Sequence, residues 1–321
     1  MAQADLVVPT WNGRGLLERC LPTLVPQAGV ARLVVVDNGS TDGTAEMLAE
    51  RFPSVAVVAL AENRGFARAV NAGVAAGAAE HVVLVNNDVE CDPGFVAALS
   101  GALARDSGAG MAAGLLLTPR RERVDSYGLE VDRTLAAFPR FACARWPAAL
   151  HERGLALPSG GAAAYRRDAL AAAGGFDDAL FGYMEDVDVG LRLAAAGWRC
   201  AGAPQASGIH LGSASFGQRS RWQVEVSGFA RGYMLRKYGV LGSGLGPAAW
   251  ALGVELGVVA VDAMKERDLT ALQSRLRGWG AARGRRASAP AEAINPELGP
   301  AEGLRRRRRV ISGAGDPETR R

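Results

Sequence analysis

The residues best suited to chemistry in this sequence stand in V-V-L-V-N-N-D, residues 82–88. Val82–Val85 is a continuous apolar run, which is typical of a buried strand in a parallel sheet. Asn86, Asn87 and Asp88 follow it directly. Open α/β sheets bind ligands at this end of their strands, and a carboxylate beside amides suits a hard divalent cation shared with phosphate. The alternative is a plain strand-to-turn junction, because Asn and Asp also favour turns.

A second group of carboxylates lies in F-G-Y-M-E-D-V-D, residues 181–188. Glu185, Asp186 and Asp188 open a predicted helix over Val187–Ala196, where the helix dipole favours acidic groups. That structural explanation accounts for the charges but not for the aromatic and glycine residues beside them. The paired Gly160 and Gly161 upstream allow a backbone to approach a ligand closely.

Four apolar segments in the first half alternate with helical patterns. We predict strands at Asp5–Pro9, Leu33–Val36, Val55–Leu60 and His81–Val85, with helices at Gly15–Leu24, Ala45–Arg51 and from Phe66 to about Gly77. This alternation predicts β-α-β units and a parallel sheet. Polar or glycine residues follow every strand, so we expect them to meet at one edge of the sheet.

A nucleotide site at that edge is physically reasonable. Asp37 ends the second strand, where acidic residues accept hydrogen bonds from a base or ribose. Arg64 precedes the third helix, where its charge and the helix dipole both favour an anion. The alternatives are an Asx-turn for Asp37 and a solvated loop cation for Arg64. The sequence has no G-x-G-x-x-G after the first strand and no P-loop motif, so neither a dinucleotide enzyme nor a P-loop NTPase is supported.

Four motifs together resemble the family 2 glycosyltransferases. They are V-V-P-T-W-N-G (7–13), V-V-D-N-G-S-T-D-G-T (35–44), E-N-R-G-F-A-R-A-V-N-A-G (62–73) and L-V-N-N-D (84–88). The resemblance covers roughly residues 5–240 and is strongest to the bacterial rhamnosyltransferase-like branch. It implies the α/β GT-A fold, a Rossmann-like, mostly parallel nucleotide-binding sheet flanked by helices, here with a C-terminal helical extension. It also implies that the nucleotide-sugar is bound by Pro9, Thr10, Asn12, Asp37, Asn38, Asn63, Arg64, Asn86 and Asn87.

The same resemblance assigns the remaining site residues. Asp186 is the expected general base, and Asp88 is the expected ligand of a divalent cation, Mg²⁺ or Mn²⁺, joined by His210. A lone histidine is otherwise more often structural. The first acidic position of the family's D-x-D motif is Asn86 here, which departs from the pattern and weakens the metal prediction. The residues expected to bind the acceptor are Gly160, Gly161, Glu185 and Trp222.

The implied reaction moves a sugar from a nucleotide-diphosphate donor to a hydroxyl of a lipid-linked or polysaccharide acceptor in cell-envelope glycan synthesis. The branch points to rhamnose as the sugar, and the absence of a second placed nucleophile favours inversion. Gln218–Trp222 matches the Q-x-x-R-W element of processive synthases, but the chain lacks their long membrane spans, so we interpret it as a helix start near the acceptor. The alternatives are a catalytically silent sugar-nucleotide or glycan-binding protein, and a sugar-nucleotide pyrophosphorylase. The latter needs a basic glycine-rich loop, for which Thr10–Gly15 supplies only Arg14.

The expected domain organisation has four parts. Residues 1–118 form the nucleotide-sugar half and residues 119–240 the acceptor and catalytic half of one domain. Residues 241–284 form C-terminal helices, in which a mostly apolar stretch is interrupted by Glu255 and Asp262 and followed by a basic amphipathic helix. Such helices can lie on an anionic membrane surface, or pack on the main domain or in a homodimer. Residues 285–321 are predicted to be a disordered basic tail.

Charge and cysteine content narrow the setting. The net charge is +4, but residues 264–321 carry 14 Lys/Arg and 7 Asp/Glu, so this region contributes +7 and the rest about −3. Nucleic-acid binding by the main body is therefore not expected. The four cysteines show no C-x-x-C spacing, and no secretory signal is visible, which predicts a cytoplasmic protein, with the inner face of the plasma membrane as its place of work.

Overall fold

The predicted alternation of strands and helices is present. The computed structural model describes residues 3–153, 155–212 and 220–312, so Gln218 lies outside the described residues. The strands are β1 (Ala4–Thr10), β2 (Val30–Asp37), β3 (Ala56–Ala59), β4 (His81–Val85), β5 (Val89–Cys91), β6 (Ala109–Leu117), β7 (Val124–Tyr127), β8 (Leu129–Val131), β9 (Ala137–Pro139), β10 (Ala162–Arg166) and β11 (Arg199–His210).

The helices follow the same chain order. They are α1 (Arg14–Leu24), α2 (Thr44–Arg51), α3 (Phe66–Ala75), α4 (Phe95–Arg105), α5 (Arg167–Ala172), α6 (Glu185–Ala195), α7 (Arg221–Lys237), α8 (Leu245–Glu266), α9 (Thr270–Ala281) and α10 (Pro300–Ser312). The three helices and four strands predicted in the first half are confirmed, with ends that differ by a few residues. The acidic helix starts at Glu185, two residues before its predicted start.

The main sheet has the strand order β3-β2-β1-β4-β10-β6-β11-β5, with β7 beside β6. Strands β1 to β4 are parallel, whereas β10 runs antiparallel between β4 and β6. Thr10 pairs in register with Asp37 at the carboxyl ends of β1 and β2. The polar residues after these strands therefore meet at one edge of the sheet, as predicted.

Alternating side chains of the strands pack into two apolar layers. On β4, Val82 and Leu84 join the layer that includes Val187 of α6, while Val83 and Val85 join the layer under α1 and α4. Each β4 side chain is almost fully buried. Helices therefore cover both faces of the sheet, and its polar edge is left for ligands.

Residues 118–157, called the insertion below, contain β7 and the antiparallel pair β8–β9. Arginines in a charged loop segment usually face solvent, but Arg140 does not. Its guanidinium is buried, lies 3.6 Å from the carboxylate of Glu130, and donates to the carbonyls of His151 and Arg153. Arg140 therefore links distant parts of residues 118–157 through its hydrogen bonds to backbone carbonyls.

Disorder was predicted from residue 285 onward, and the described part to residue 312 contradicts it. The backbone N–H of Asn295 donates to the carbonyl of Val131, Leu298 packs against Phe138, and Arg306 of α10 pairs with Glu130. The segment is ordered because its few apolar residues are buried against the insertion and its arginines find carboxylates there. Residues 313–321 of the predicted tail lie outside the described residues.

Helices α7 and α9 cross at unusually close range because glycines line their contact. A Cβ atom built on Gly232 would lie 1.9 Å from the carbonyl oxygen of Arg275, and one on Gly278 would lie 1.9 Å from that of Phe229. These atoms belong to the backbone, so neither helix can yield locally. The seam therefore requires glycine at both positions.

We expect Gly232→Ala to lower the free energy of unfolding by about 1–3 kcal/mol, the usual cost of overpacking. The measurement is denaturant unfolding of the purified protein. Gly253→Ala on α8 is the matched control, since nothing lies within 4 Å of its added Cβ atom. Alanine there should stabilise the helix slightly, by about 0.5–1 kcal/mol. Equal effects of the two substitutions would contradict the close crossing.

Candidate active site

The first part of the polar edge is a set of hydrogen-bonded loops after β1, β2 and β4. The amide of Asn87 donates to the hydroxyl of Thr10 at 2.8 Å, and the Asp37 carboxylate accepts from the backbone of Ser40 at 3.0 Å. Asn12, in the left-handed backbone region at φ 48°, accepts from the N–H of Thr41. The predicted residues are thus brought together. Pro9 is buried within β1.

Asn38 and Asn63 support this edge from beneath. Their side-chain amides hydrogen-bond to each other at 2.9 Å, and they accept from the backbone N–H groups of Arg64 and Gly65 respectively. Asn38 is buried. The two asparagines therefore shape the turn that presents Arg64, whose exposed guanidinium has no ion pair within the described part of the chain.

The second part of the edge surrounds Asp88. Its Oδ2 lies 3.3 Å from Nε2 of His210, and Nδ1 of that ring lies 3.0 Å from a carboxylate oxygen of Asp125. Burial disfavours a charged imidazole, but the hydrogen bonds with Asp125 and Asp88 outweigh it and raise the pKa of His210 to about 10. Asp125 thus fixes the ring so that Nε2 points at Asp88.

The residues here fit a divalent cation. Oδ1 of Asp88 and Oδ1 of Asn86 are buried, and neither has a hydrogen-bond partner among residues 3–153, 155–212 and 220–312. Buried oxygens without a partner are costly unless something binds them. No group of three or more His, Cys, Asp or Glu side chains suited to a metal occurs in the described residues. Asp88 and Asn86 would therefore share the cation with water and ligand phosphates, as Mg²⁺ sites do. His210 would join them once the cation displaces the proton from Nε2.

The third part contains the predicted base. Asp186 is the second residue of α6, and its carboxylate accepts from the N–H groups of Gly160 at 3.1 Å and Val187 at 2.7 Å. Burial raises the pKa of Asp186, and the two hydrogen bonds only partly offset this. A Cβ atom on Gly161 would lie 3.7 Å from the amide of Asn86. The Gly160–Gly161 pair therefore joins the carboxylate of Asp186 to the cation-binding edge.

Glu185 lies beside Asp186 but differs from its predicted role in one respect. Its side chain is buried, and within the described residues Oε2 has no hydrogen-bond partner. Burial and the neighbouring charge of Asp186 both raise the pKa of Glu185 above the usual range for a glutamate. Direct contact with an acceptor, as expected from the sequence, needs movement of this side chain.

A strained turn just before α6 positions the carboxylates of Glu185 and Asp186. Tyr183 and Met184, just before α6, both adopt positive φ angles of 63° and 67°, which cost energy in residues other than glycine. The turn is held by the carbonyl of Phe181, which accepts from the N–H of Phe66, next to the Arg64 turn. The Phe181 ring also packs edge-on against Trp222, with centroids 6.1 Å apart. Trp222 is half exposed, as an acceptor platform requires.

The sequence suggested that Asp188 stabilises the start of α6. In the structure its carboxylate instead binds side chains of α6 and α7. It is fully buried, and it accepts hydrogen bonds from Lys237 and Tyr238 at the end of α7 and from Arg192 on its own helix. Lys237 also binds Asp177 at 2.8 Å. A cavity of about 410 Å³ beside this network contains none of the predicted site residues. The network therefore ties the base-bearing helix to α7.

Sequence reasoning missed Asp125 and Lys237. They lie 85 and 49 residues from the partners they position. No local pattern marks either residue, because aspartate in a charged loop and lysine at a helix end are common. Only a structure that folds residues 118–157 against the sheet edge, and α7 against α6, could find them.

Comparisons with known proteins agree with this geometry. Residues 2–234 match the family described as glycosyltransferase like family 2. The chain is 32% identical over 240 residues to the N-acetylglucosaminyl-diphospho-decaprenol L-rhamnosyltransferase of Mycobacterium tuberculosis, covering 66% of this chain and 77% of that one. A second sequence, from another strain of that species, matches equally well.

Three solved glycosyltransferase structures share the fold. The mannosyltransferase PcManGT from Pyrobaculum calidifontis, in complex with GDP-Man and Mn²⁺, has a TM-score of 0.54 and 21% identity, covering 98% of this chain and 84% of that one. GalNAc-T7 with UDP, GalNAc and Mn²⁺ has a TM-score of 0.55 and 16% identity, covering 65% and 44%. Staphylococcus aureus TarS, residues 1–349, has a TM-score of 0.52 and 14% identity, covering 97% and 90%.

The sheet has the GT-A fold of the glycosyltransferases. The chain belongs to glycosyltransferase like family 2. The fold class and enzyme class predicted from the sequence are thus confirmed.

Proposed function

We propose that this enzyme transfers rhamnose from a nucleotide-diphosphate donor to a hydroxyl of N-acetylglucosamine linked through diphosphate to a polyprenol. The printed activity of the mycobacterial relative supports this substrate pair. The observation that carries the proposal is the continuity of the edge. Gly160 donates to Asp186, and a Cβ atom on the neighbouring Gly161 would lie 3.7 Å from the amide of Asn86, two residues before Asp88. This proximity of the proposed base and the proposed diphosphate site supports their action on one substrate pair.

In the proposed mechanism Asp186 accepts the proton of the acceptor hydroxyl as that oxygen attacks the anomeric carbon. Its raised pKa makes it a better base than an exposed aspartate. Arg64 and the N-terminus of α3 bind the diphosphate as negative charge develops on it. Thr10, Asn12 and Asp37 hold the nucleoside, and Gly160, Gly161 and Trp222 line the acceptor side. Because no enzyme nucleophile is needed, the anomeric configuration inverts.

The bound cation, Mg²⁺ or Mn²⁺, would supply Lewis-acid stabilisation of the departing diphosphate. Asp88 and His210 would hold it, with Asn86 as a neutral oxygen ligand. Mn²⁺ in two structural neighbours supports a divalent cation in this fold. Asn86 in place of a carboxylate favours weaker metal binding than a full D-x-D motif gives.

A membrane location follows from the acceptor, since polyprenol-linked sugars reside in lipid. Among the described helices, α8 alone is long and apolar enough to cross a membrane by length and composition. Only 22% of its most apolar part is buried within the protein. We propose peripheral contact with the cytoplasmic face of the plasma membrane through α8 and the basic residues around it. A homodimer through the same face is the alternative.

The test is a donor panel with the purified enzyme. dTDP-, UDP- and GDP-sugars are supplied with a polyprenyl-diphosphate N-acetylglucosamine acceptor, and release of nucleoside diphosphate is followed with Mn²⁺, Mg²⁺ or EDTA. We expect acceptor-dependent release from one rhamnosyl donor. Binding of that donor without release under every condition would instead favour the catalytically silent sugar-nucleotide-binding protein.

Asp125 gives a prediction of its own. We expect Asp125→Ala to weaken Mn²⁺ binding by about 10- to 100-fold, because a carboxylate that orients a metal-binding histidine typically contributes that much. The measurement is calorimetric titration of Mn²⁺ in the presence of nucleoside diphosphate. Glu122→Ala, an exposed carboxylate of the same segment, is the control. Unchanged affinity in Asp125→Ala would remove His210 from the cation site.

A further inference from the structure

Helix α8 buries acidic side chains and exposes apolar ones, which is the opposite of a surface helix in an ordinary globular protein. Its two central acidic residues, Glu255 and Asp262, are buried, with 7% and 8% of their surface exposed. Its large apolar side chains face outward instead, among them Leu245, Leu256 and Met264, which are 93%, 63% and 72% exposed. A continuous exposed apolar stripe of this kind marks contact with lipid or with another apolar surface.

Buried ion pairs fix this orientation. Glu255 binds Arg231 of α7 at 2.7 Å and Arg275 of α9 at 2.8 Å. Arg231 also donates to the carbonyls of Thr134 and Leu135 in the insertion. Because breaking such a buried pair is costly, α8 cannot rotate to hide its leucines. The exposed stripe is therefore a constant feature of the fold.

An apolar groove of about 280 Å³ opens between α7, α8 and α9 beside this stripe. Its walls include Leu235, Val259 and Trp279. Leu256 and Leu276, both more than 60% exposed, form its outer edge. A volume near the lower end of small-molecule pockets suits a few units of a flexible apolar chain. The groove can thus receive a chain from the lipid side.

Helix α7 connects this groove to the active site. Trp222, in its first turn, contacts Phe181 of the turn before Asp186, and Gly232 at the groove lies ten residues further on. That separation is about 15 Å along the helix. Arg221, beside Trp222, is largely exposed and, among the residues that the structure describes, pairs with the partly exposed carboxylate of Asp268 at 3.4 Å. Arg221 and Trp222 therefore lie together at the start of α7, and the apolar groove lies further along the same helix.

A polar end that carries Arg221 and Trp222, followed by an apolar groove, suits a ligand in which an anionic diphosphate joins a sugar to a polyprenyl chain. We propose that the groove between α7, α8 and α9 binds the isoprenoid chain of the lipid-linked acceptor, with Arg221 beside its diphosphate. The inference rests on the proposed function and adds a second binding site for the same substrate. Recognition of the chain places the terminal sugar under Asp186 without using contacts to the sugar itself.

The test introduces charged side chains at the exposed edge of the groove, where substitution leaves the protein core intact. Leu256→Glu combined with Leu276→Glu is compared with Leu245→Glu, which removes an exposed leucine of the stripe that does not line the groove. Transfer is measured in detergent with a decaprenyl acceptor and with a water-soluble analogue that carries one isoprene unit. We expect the double variant to raise KM for the decaprenyl acceptor by about 10- to 100-fold, the loss of one or two buried leucine-sized contacts.

In the same variant, KM for the short analogue and the rate of donor hydrolysis should stay unchanged, and Leu245→Glu should resemble the wild type with both acceptors. An equal rise in KM for both acceptors, or no rise for the decaprenyl acceptor, would contradict binding of the isoprenoid chain in the groove. A wild-type dimer that the double variant converts to monomer, with KM unchanged, would show that a second copy covers the stripe. Wild-type enzyme that transfers to neither acceptor contradicts the proposed function itself and removes this inference with it.

Discussion

Replacing Asp186 with asparagine is expected to lower the rate of sugar transfer by about 10²- to 10⁴-fold, the usual contribution of a general base. Asparagine keeps the shape of the side chain and an oxygen that can accept from the N–H of Gly160, so the loop should stay in place. What is lost is the basic carboxylate. The measurement is the transfer rate at saturating donor and acceptor, and the dissociation constant of the donor should change little.

Asp168→Asn is the matched control. Asp168 is exposed and follows β10 at the end that pairs with His81, the first residue of β4, so it lies at the opposite edge of the sheet. Its substitution should leave transfer unchanged. Since burial raises the pKa of Asp186, the wild-type rate should fall with decreasing pH already above the usual range of an aspartate. Near-normal transfer by Asp186→Asn would remove this residue from the chemistry.

The second large effect is expected for Asp88→Ala. Removing this carboxylate takes away the charged oxygen ligand that we propose for the cation, and the rate should fall by about 10²- to 10³-fold because the departing diphosphate is less stabilised. Release of nucleoside diphosphate with and without Mn²⁺ measures this directly. The variant should no longer respond to Mn²⁺.

Asn86→Asp provides the opposite change at the neighbouring oxygen. Oδ1 of Asn86, two residues before Asp88, is buried and has no hydrogen-bond partner in the described residues. A carboxylate there should tighten Mn²⁺ binding, because hard cations favour charged oxygen ligands. If Asp88→Ala retained full metal-stimulated release, or if Asn86→Asp did not alter Mn²⁺ affinity, the cation would have to bind elsewhere.

The nucleotide-binding half of the fold could be predicted from sequence because its signals are local. An apolar run such as Val82–Val85 predicts a buried strand, and the polar residues after it mark the ligand edge without knowledge of any partner. The same logic placed Asp37, Arg64 and Asp88 together. Asp186 needed its aromatic and glycine neighbours, and the family resemblance, to be assigned.

The parts that sequence could not predict depend on distant partners. Asp188 was given a local role at the start of its helix, but its carboxylate is bound by Lys237 and Tyr238 from α7. Asn38 and Asn63 were assigned to the ligand, and the structure uses their amides to build the turn under Arg64. In each case, a nearby explanation existed, and a contact across the fold replaced it or added to it.

Helix α8 shows the same limit for surfaces. In the sequence, Glu255 and Asp262 interrupt an apolar stretch and lower its apparent affinity for lipid. In the structure both are buried, Glu255 between Arg231 and Arg275, and the outward face is left apolar. A composition that argues against a lipid-facing helix therefore becomes an argument for one, once the direction of each side chain is known.

The central claim is a single displacement in which Asp186 activates the acceptor hydroxyl. It is tested most directly by the anomeric configuration of the first product formed, determined by nuclear magnetic resonance and compared with that of the donor sugar. We predict an inverted configuration. A product with the donor's configuration would require a double displacement through a nucleophile on the enzyme, and would contradict the role assigned to Asp186.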